Sequence, residues 1–88
     1  MMGEAKGKYM ASGSSLTVDA RMCFSGKELR VVDESGKELL AAPIAEVKIS
    51  SRLGNVPRTL RFPDQSGFET KENDTMDEWL RSVGKSRS

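Results

Sequence analysis

From Leu16 onward, apolar and polar residues alternate with period two. Leu16, Val18, Ala20, Met22 and Phe24 fall on one face, and Thr17, Asp19, Arg21, Cys23 and Ser25 on the other. That is the pattern of a strand with one buried face, and it puts Cys23 on the wetter side. Ser25-Gly26-Lys27 supplies turn chemistry, and Glu28 to Val32 follows as a strand with Leu29 and Val31 sharing a face. Asp33-Glu34-Ser35-Gly36 makes the next turn, and Lys37 to Ala42 a third strand whose inward face is ambiguous because Leu39 and Leu40 are adjacent. Ser-Gly-Lys-Glu-Leu occurs at Ser25 to Leu29 and again at Ser35 to Leu39, ten residues apart. A period that short suits consecutive hairpins, a meander, rather than a helical repeat. Glu46 to Ser50 alternates again, with Val47 and Ile49 inward. Arg52 to Pro57, with its Gly54-Asn55 pair and Pro57, is a loop. Arg58 to Phe62 places Leu60 and Phe62 on one face, Pro63 to Gly67 turns, and Phe68 to Lys71 is a short last strand. Tyr9, within Gly7 to Ala11, supplies a first strand, for about seven antiparallel strands in all.

The period changes near Asn73. Met76, Trp79, Leu80 and Val83 stand at i, i+3, i+4 and i+7, one apolar stripe of a helix over residues 74–83. Asp74 or Thr75 is the expected N-cap, with Glu78 completing a capping box after Thr75, and Gly84 the stop. A ten-residue helix is marginal alone in water, so the stripe must dock. Trp79, the only tryptophan, lies at its centre and is expected to cap one open end of the β core. The domain organisation that follows is a flexible arm over 1–6, a single mainly β (α+β) domain over 7–84, and a polar tail over 85–88.

Composition narrows the chemistry. The 88 residues include no histidine and one cysteine, so no imidazole base, Ser-His-Asp or Cys-His arrangement, HExxH site or intrachain disulfide can form. A lone reduced thiol suits a cytoplasmic location. Five methionines with one cysteine do not make a transition-metal set, and the acids lack a calcium-loop pattern. No metal site, cofactor or catalytic residue is therefore expected, and the chain is not expected to be an enzyme. Gly26-Lys27 lacks the second glycine and the Ser/Thr of a phosphate loop. Asp33-Glu34 and Asp77-Glu78 have turn and helix-start explanations. The longest apolar run, Leu39 to Ala45, is seven residues, far short of the ~20 that span a bilayer. Nucleic acid is not an expected partner, because the net charge is +1 and the aromatics fall inward by period.

The charge is segregated, however. Lys48, Arg52, Arg58 and Arg61 give +4 from Lys48 to Arg61 with no acid, while six acids and Lys71 give −5 from Asp64 to Glu78. One explanation is an anion or lipid-headgroup site formed by Arg52, Arg58 and Arg61, since guanidinium suits phosphate. The other is that neighbouring strands of opposite sign pair across the sheet.

The run Arg52-Leu53-Gly54-Asn55-Val56-Pro57-Arg58-Thr59-Leu60-Arg61-Phe62-Pro63-Asp64, with Gly7-Lys8-Tyr9 before it and Asn73-Asp74 to Leu80 after it, resembles the N-terminal domain of bacterial membrane-associated zinc metallopeptidases. The resemblance covers roughly Gly7 to Val83. In that family the domain precedes a transmembrane segment and a peptidase domain bearing HExxH, neither of which occurs in these 88 residues. None of the matching positions is catalytic in the family, so no catalytic role carries over.

The resemblance implies a non-catalytic accessory domain that docks on protein. The partner would lie in cis, in a downstream peptidase domain, or in trans, with the module at the cytoplasmic face of the inner membrane. The basic tail Lys85 to Arg87 suits that placement. Seven strands followed by one helix also look like a small pleckstrin-homology-like barrel, the alternatives being an open barrel or a sandwich with a helix. Such a barrel makes an anionic-ligand or lipid-headgroup module the competing expectation.

Overall fold

Three tight turns and two longer loops, over residues 11–17 and 50–57, organise the sheet. In the computed structural model, which describes residues 2–84, the strands are β1 (Met2–Met10), β2 (Val18–Ser25), β3 (Glu28–Asp33), β4 (Glu38–Pro43), β5 (Lys48–Ile49), β6 (Arg58–Arg61) and β7 (Gly67–Thr70). One helix, α1 (Asn73–Ser82), follows them. Every pairing is antiparallel, in the order β4-β3-β2-β1-β7-β6-β5. Two meanders, β1 to β4 and β5 to β7, are thus joined where β1 pairs with β7. The protein is mainly β, a curled half-barrel with a C-terminal helix. The polar tail expected at 85–88 lies outside the described residues.

The turns form for the reasons the sequence suggests. Gly26 and Gly36 take positive φ. Asp33 Oδ1 accepts the Ser35 and Lys37 amides at 2.9 Å each and the Ser35 hydroxyl at 2.7 Å. These bonds hold the Asp33 carboxyl below the usual carboxylate range and give the Asp33-Glu34 pair a turn-making role.

β1 is longer than expected. Residues 2–6, expected to form a flexible arm, are its first half, paired with β2 from Met2↔Ser25 onward. Over its last three residues, Lys8 to Met10, β1 acquires β7 as a second neighbour, with Lys8 facing Glu69. Gly7 permits the approach: a Cβ there would fall onto the Glu69 carbonyl and the Phe68 ring.

At β2, alternation overstates the core. Ala20, Met22 and Phe24 are buried, but Leu16 and Val18 are 77% and 49% exposed. β3 reaches only to Ala20↔Asp33, so no third strand covers the start of β2, and Leu16 belongs to the loop before it. The adjacent leucines are resolved by a bulge. Val31 faces Leu40 and Val32 faces Glu38, leaving Leu39 as the extra residue. The strand expected over Glu46 to Ser50 shortens to Lys48–Ile49, because a 3-10 turn at Ile44–Glu46 carries the chain from β4 to β5. That turn buries Ile44, and Val47 is buried just after it.

The apolar stripe of α1 closes the half-barrel. Met76, Trp79 and Leu80 are buried and Val83 packs against the core. Trp79 stacks on Phe24 with centroids 4.6 Å apart, and its indole Nε1–H donates to the Gly26 carbonyl at 3.0 Å. The helix starts earlier than the expected cap at Asp74 or Thr75: Glu72 occupies the cap position without a side-chain cap bond. The expected capping residues are otherwise engaged or already helical. Asp74 binds Arg52, and the Glu72 carboxylate accepts the Lys6 amide of β1. Thr70 ties the same place, its hydroxyl donating to the Lys6 carbonyl at 2.7 Å. Gly84, at positive φ, ends the helix.

Candidate functional site

Arg58 lies two residues before Leu60 and four before Phe62, so alternation along β6 turns it toward the core, where it is 4% exposed. A buried guanidinium needs a charged partner and filled hydrogen bonds. Its Nη1 donates to Asp77 Oδ1 at 2.7 Å and its Nε to the Ser50 carbonyl at 2.8 Å. Arg52, in the loop after β5, reaches the same carboxylate from the other side. Its Nη1 donates to Asp77 Oδ2 and to Asp74 Oδ1, both at 2.8 Å. Asp77 is therefore clamped between two guanidiniums, one on β6 and one on the loop, and α1 is pinned to both.

The clamp also fixes the loop. Ser50 donates its amide to the Thr59 carbonyl at 2.9 Å and accepts the Thr59 amide on its hydroxyl at 2.9 Å. Val56 closes a turn on the Leu53 carbonyl at 2.9 Å, and the Asn73 side-chain Nδ2 donates to the Val56 carbonyl at 3.1 Å. At the tip of this tied-down loop, Leu53 and Val56 are 67% and 56% exposed.

Arg61 has a different place. Three residues after Arg58, it projects from the opposite face of β6, exposed, opposite Lys48 in the ladder and bonded to the Gln65 carbonyl at 3.2 Å. The structure thus brings Arg52 and Arg58 together on Asp77 and leaves Arg61 apart. The segregated charges do meet, though not strand to strand as expected. The acids that neutralise the basic segment come from the helix. Asp77, taken from the sequence only as a favourable charge near the helix start, is the residue that sequence reasoning undervalued. The signal was present in the adjacent runs of opposite charge.

The two guanidiniums, Arg58 first and then Arg52, hold the Asp77 carboxyl below its ordinary value of 3.8. A carboxylate depressed in the folded state stabilises the fold above its unfolded pKa, and that contribution fades as pH falls through the folded pKa. The difference in urea midpoint between the protein and Asp77→Asn should therefore be constant from pH 7 to about pH 4 and shrink below it. A difference that grows with acid would reverse the sign and remove the clamp.

Among the described residues, no group of three or more acids and cysteines could hold a metal ion, and no helix is long and apolar enough to cross a membrane. Cys23 is a free, half-buried thiol on β2.

These features define a class: a small antiparallel β half-barrel plugged by a C-terminal helix, with a charge clamp bracing one apolar loop. Residues 4–83 match the family described as a domain of unknown function (DUF7092), and the chain belongs to that family. Comparison with curated proteins and with solved structures finds no match.

Proposed function

We propose that this domain is a non-catalytic docking module that engages protein through the loop carrying Leu53 and Val56. The observation that carries this is the pairing of exposed apolar tips with a rigid base. A loop tied to β6 and α1 by Arg52, Ser50 and Asn73 loses little conformational entropy when a partner covers it. The neighbouring charge favours a protein over an anionic surface. Arg52 and Arg58 are already neutralised by Asp74 and Asp77, and the shallow depression beside the loop mixes Arg52 and Lys71 with Glu72 and Asp74.

The partner proposed is the HExxH peptidase domain in cis, on the strength of the resemblance to the N-terminal domain of membrane-associated zinc metallopeptidases. In that setting the module sits at the cytoplasmic face of the inner membrane. Two meanders meeting at β1 and β7, followed by a plugging helix, support a pleckstrin-homology-like description of the fold. The competing reading, an anionic-ligand module, has one observation in its favour: Lys48 and Arg61 stand opposite each other, like charges with no ion pair among the described residues.

Amide chemical shifts of the labelled domain separate the two. On adding a separately expressed HExxH peptidase domain of the membrane-associated metallopeptidase family, saturable shifts are expected at Arg52 to Val56, weakened at least tenfold by Leu53→Asp, which leaves the fold intact because Leu53 is exposed. The absence of such shifts would overturn the docking reading. So would saturable shifts at Lys48 and Arg61 with phosphatidylglycerol vesicles that Arg61→Ala removes.

A further inference from the structure

The half-barrel does not close. β4 and β5 are the two ends of the sheet, and no hydrogen-bonded ladder joins them. The two edges are unequal: β5 has two residues and β4 six. Natural edge strands are blunted by charges, prolines or bulges. On β4 the only charge is Glu38 at one end and the only proline Pro43 at the other, with the bulge at Leu39. Between them, Leu40, Ala41 and Ala42 are uncharged, and Leu39 and Leu40 are only partly buried against the core.

The direction of the backbone groups follows from register. Ile44 donates its amide to the Lys27 carbonyl at 2.7 Å, which sets residues 27 and 44 at a hydrogen-bonded position of the ladder. Bonded pairs alternate along an antiparallel ladder. Leu29 with Ala42 and Val31 with Leu40 are therefore bonded inward, while Ala41, opposite Arg30, turns its N–H and C=O to the open edge. Ala41 is exposed, and its methyl leaves the approach clear.

We propose that the outer edge of β4 receives an extended polypeptide segment from another protein, paired through the Ala41 N–H and C=O, with apolar side chains laid against Leu39 and Leu40. An extended chain is the occupant because only a strand supplies alternating donors and acceptors at the spacing the edge presents. A second copy of the domain fits less well. A six-residue strand is about 20 Å long, and two such edges paired alone bury far less than the ~1,200 Å² of a stable dimer. Pro43 also removes one donor from each copy. Glu46, exposed just beyond one end of the edge, favours a segment carrying a basic residue there, whereas Glu38 at the other end already faces Arg30 at 3.9 Å. This surface is separate from the loop of Leu53 and Val56.

The test uses the labelled domain and the peptide acetyl-Lys-Val-Thr-Val-Thr-Val-amide, with two versions N-methylated at alternate residues. Saturable shifts are expected at Glu38 to Pro43, with slowed exchange of the Ala41 amide. One methylated peptide should bind and the other should lose at least tenfold. Ala41→Pro should lose binding to the same extent, its removed N–H having no partner in the sheet. Shifts absent from β4, equal binding of both methylated peptides, or shifts at β4 that grow with protein concentration alone would overturn the proposal.

Discussion

Replacing Trp79 with alanine is expected to lower stability by about 3–5 kcal/mol, the range for deleting a large buried aromatic. The indole is fully buried and stacked on Phe24 at an interplanar angle of 21°. Its removal opens a cavity at the end of the half-barrel and leaves the Gly26 carbonyl without its donor. For a domain of this length, total stability on the order of 4–13 kcal/mol is usual, so the variant should be partly unfolded at room temperature. Trp79→Phe keeps a ring on Phe24 but loses the hydrogen bond, and should cost about 1–2 kcal/mol. Urea unfolding followed by far-ultraviolet circular dichroism measures both. Native Trp79 emission should be blue-shifted and shielded from acrylamide; red-shifted, quenchable emission would show that the helix does not plug the core.

The second large effect belongs to the clamp. Asp77→Ala should cost about 2–4 kcal/mol, somewhat below the full range for breaking a buried ion pair because the carboxylate keeps contact with water. The side chains of Arg58 and Asp77 are 5% and 27% exposed. The cost arises chiefly at Arg58, left charged in a buried position. Arg52→Ala should cost much less, since its side chain is 39% exposed and its ion pairs are screened by solvent. Unequal effects of the two arginines on one shared acid are a signature of this arrangement.

Period alone locates most of this molecule. Met22 and Phe24, Leu29 and Val31, Leu60 and Phe62, and the Met76–Trp79–Leu80 stripe are all buried where alternation or helical spacing puts them. Local turn chemistry at Gly26, Asp33 and Gly84 sets their boundaries. What period does not show is where a neighbour ends. Leu16 and Val18 continue the apolar alternation of β2 past the last residue that β3 covers. Glycine and lysine in residues 2–6 lack any apolar pattern, yet they pair along β2 because a strand needs backbone partners as much as side chains.

The candidate site was half legible. The opposed runs of charge announced an electrostatic contact, and Arg52, Arg58 and Arg61 could be singled out by type. Their separation could not. A charge at Arg58 interrupts the apolar pattern of β6 and hides the fact that it shares the face of Leu60, and its partner Asp77 lies 19 residues away on another element. Only the tertiary fold supplies that pairing, and with it the reason that two of the three arginines meet on one acid of the helix.

Arg52 and Arg58 form an internal clamp on α1 that braces the loop carrying Leu53 and Val56. A double-mutant cycle with Arg58→Met and Asp77→Leu, followed by urea unfolding at pH 7, tests it most directly. Residues in one charged network couple by about 0.5–3 kcal/mol. A coupling in the upper half of that range is expected, with the double variant more stable than either single one. Additive effects, within about 0.3 kcal/mol, would show that Arg58 and Asp77 do not hold each other in the folded domain.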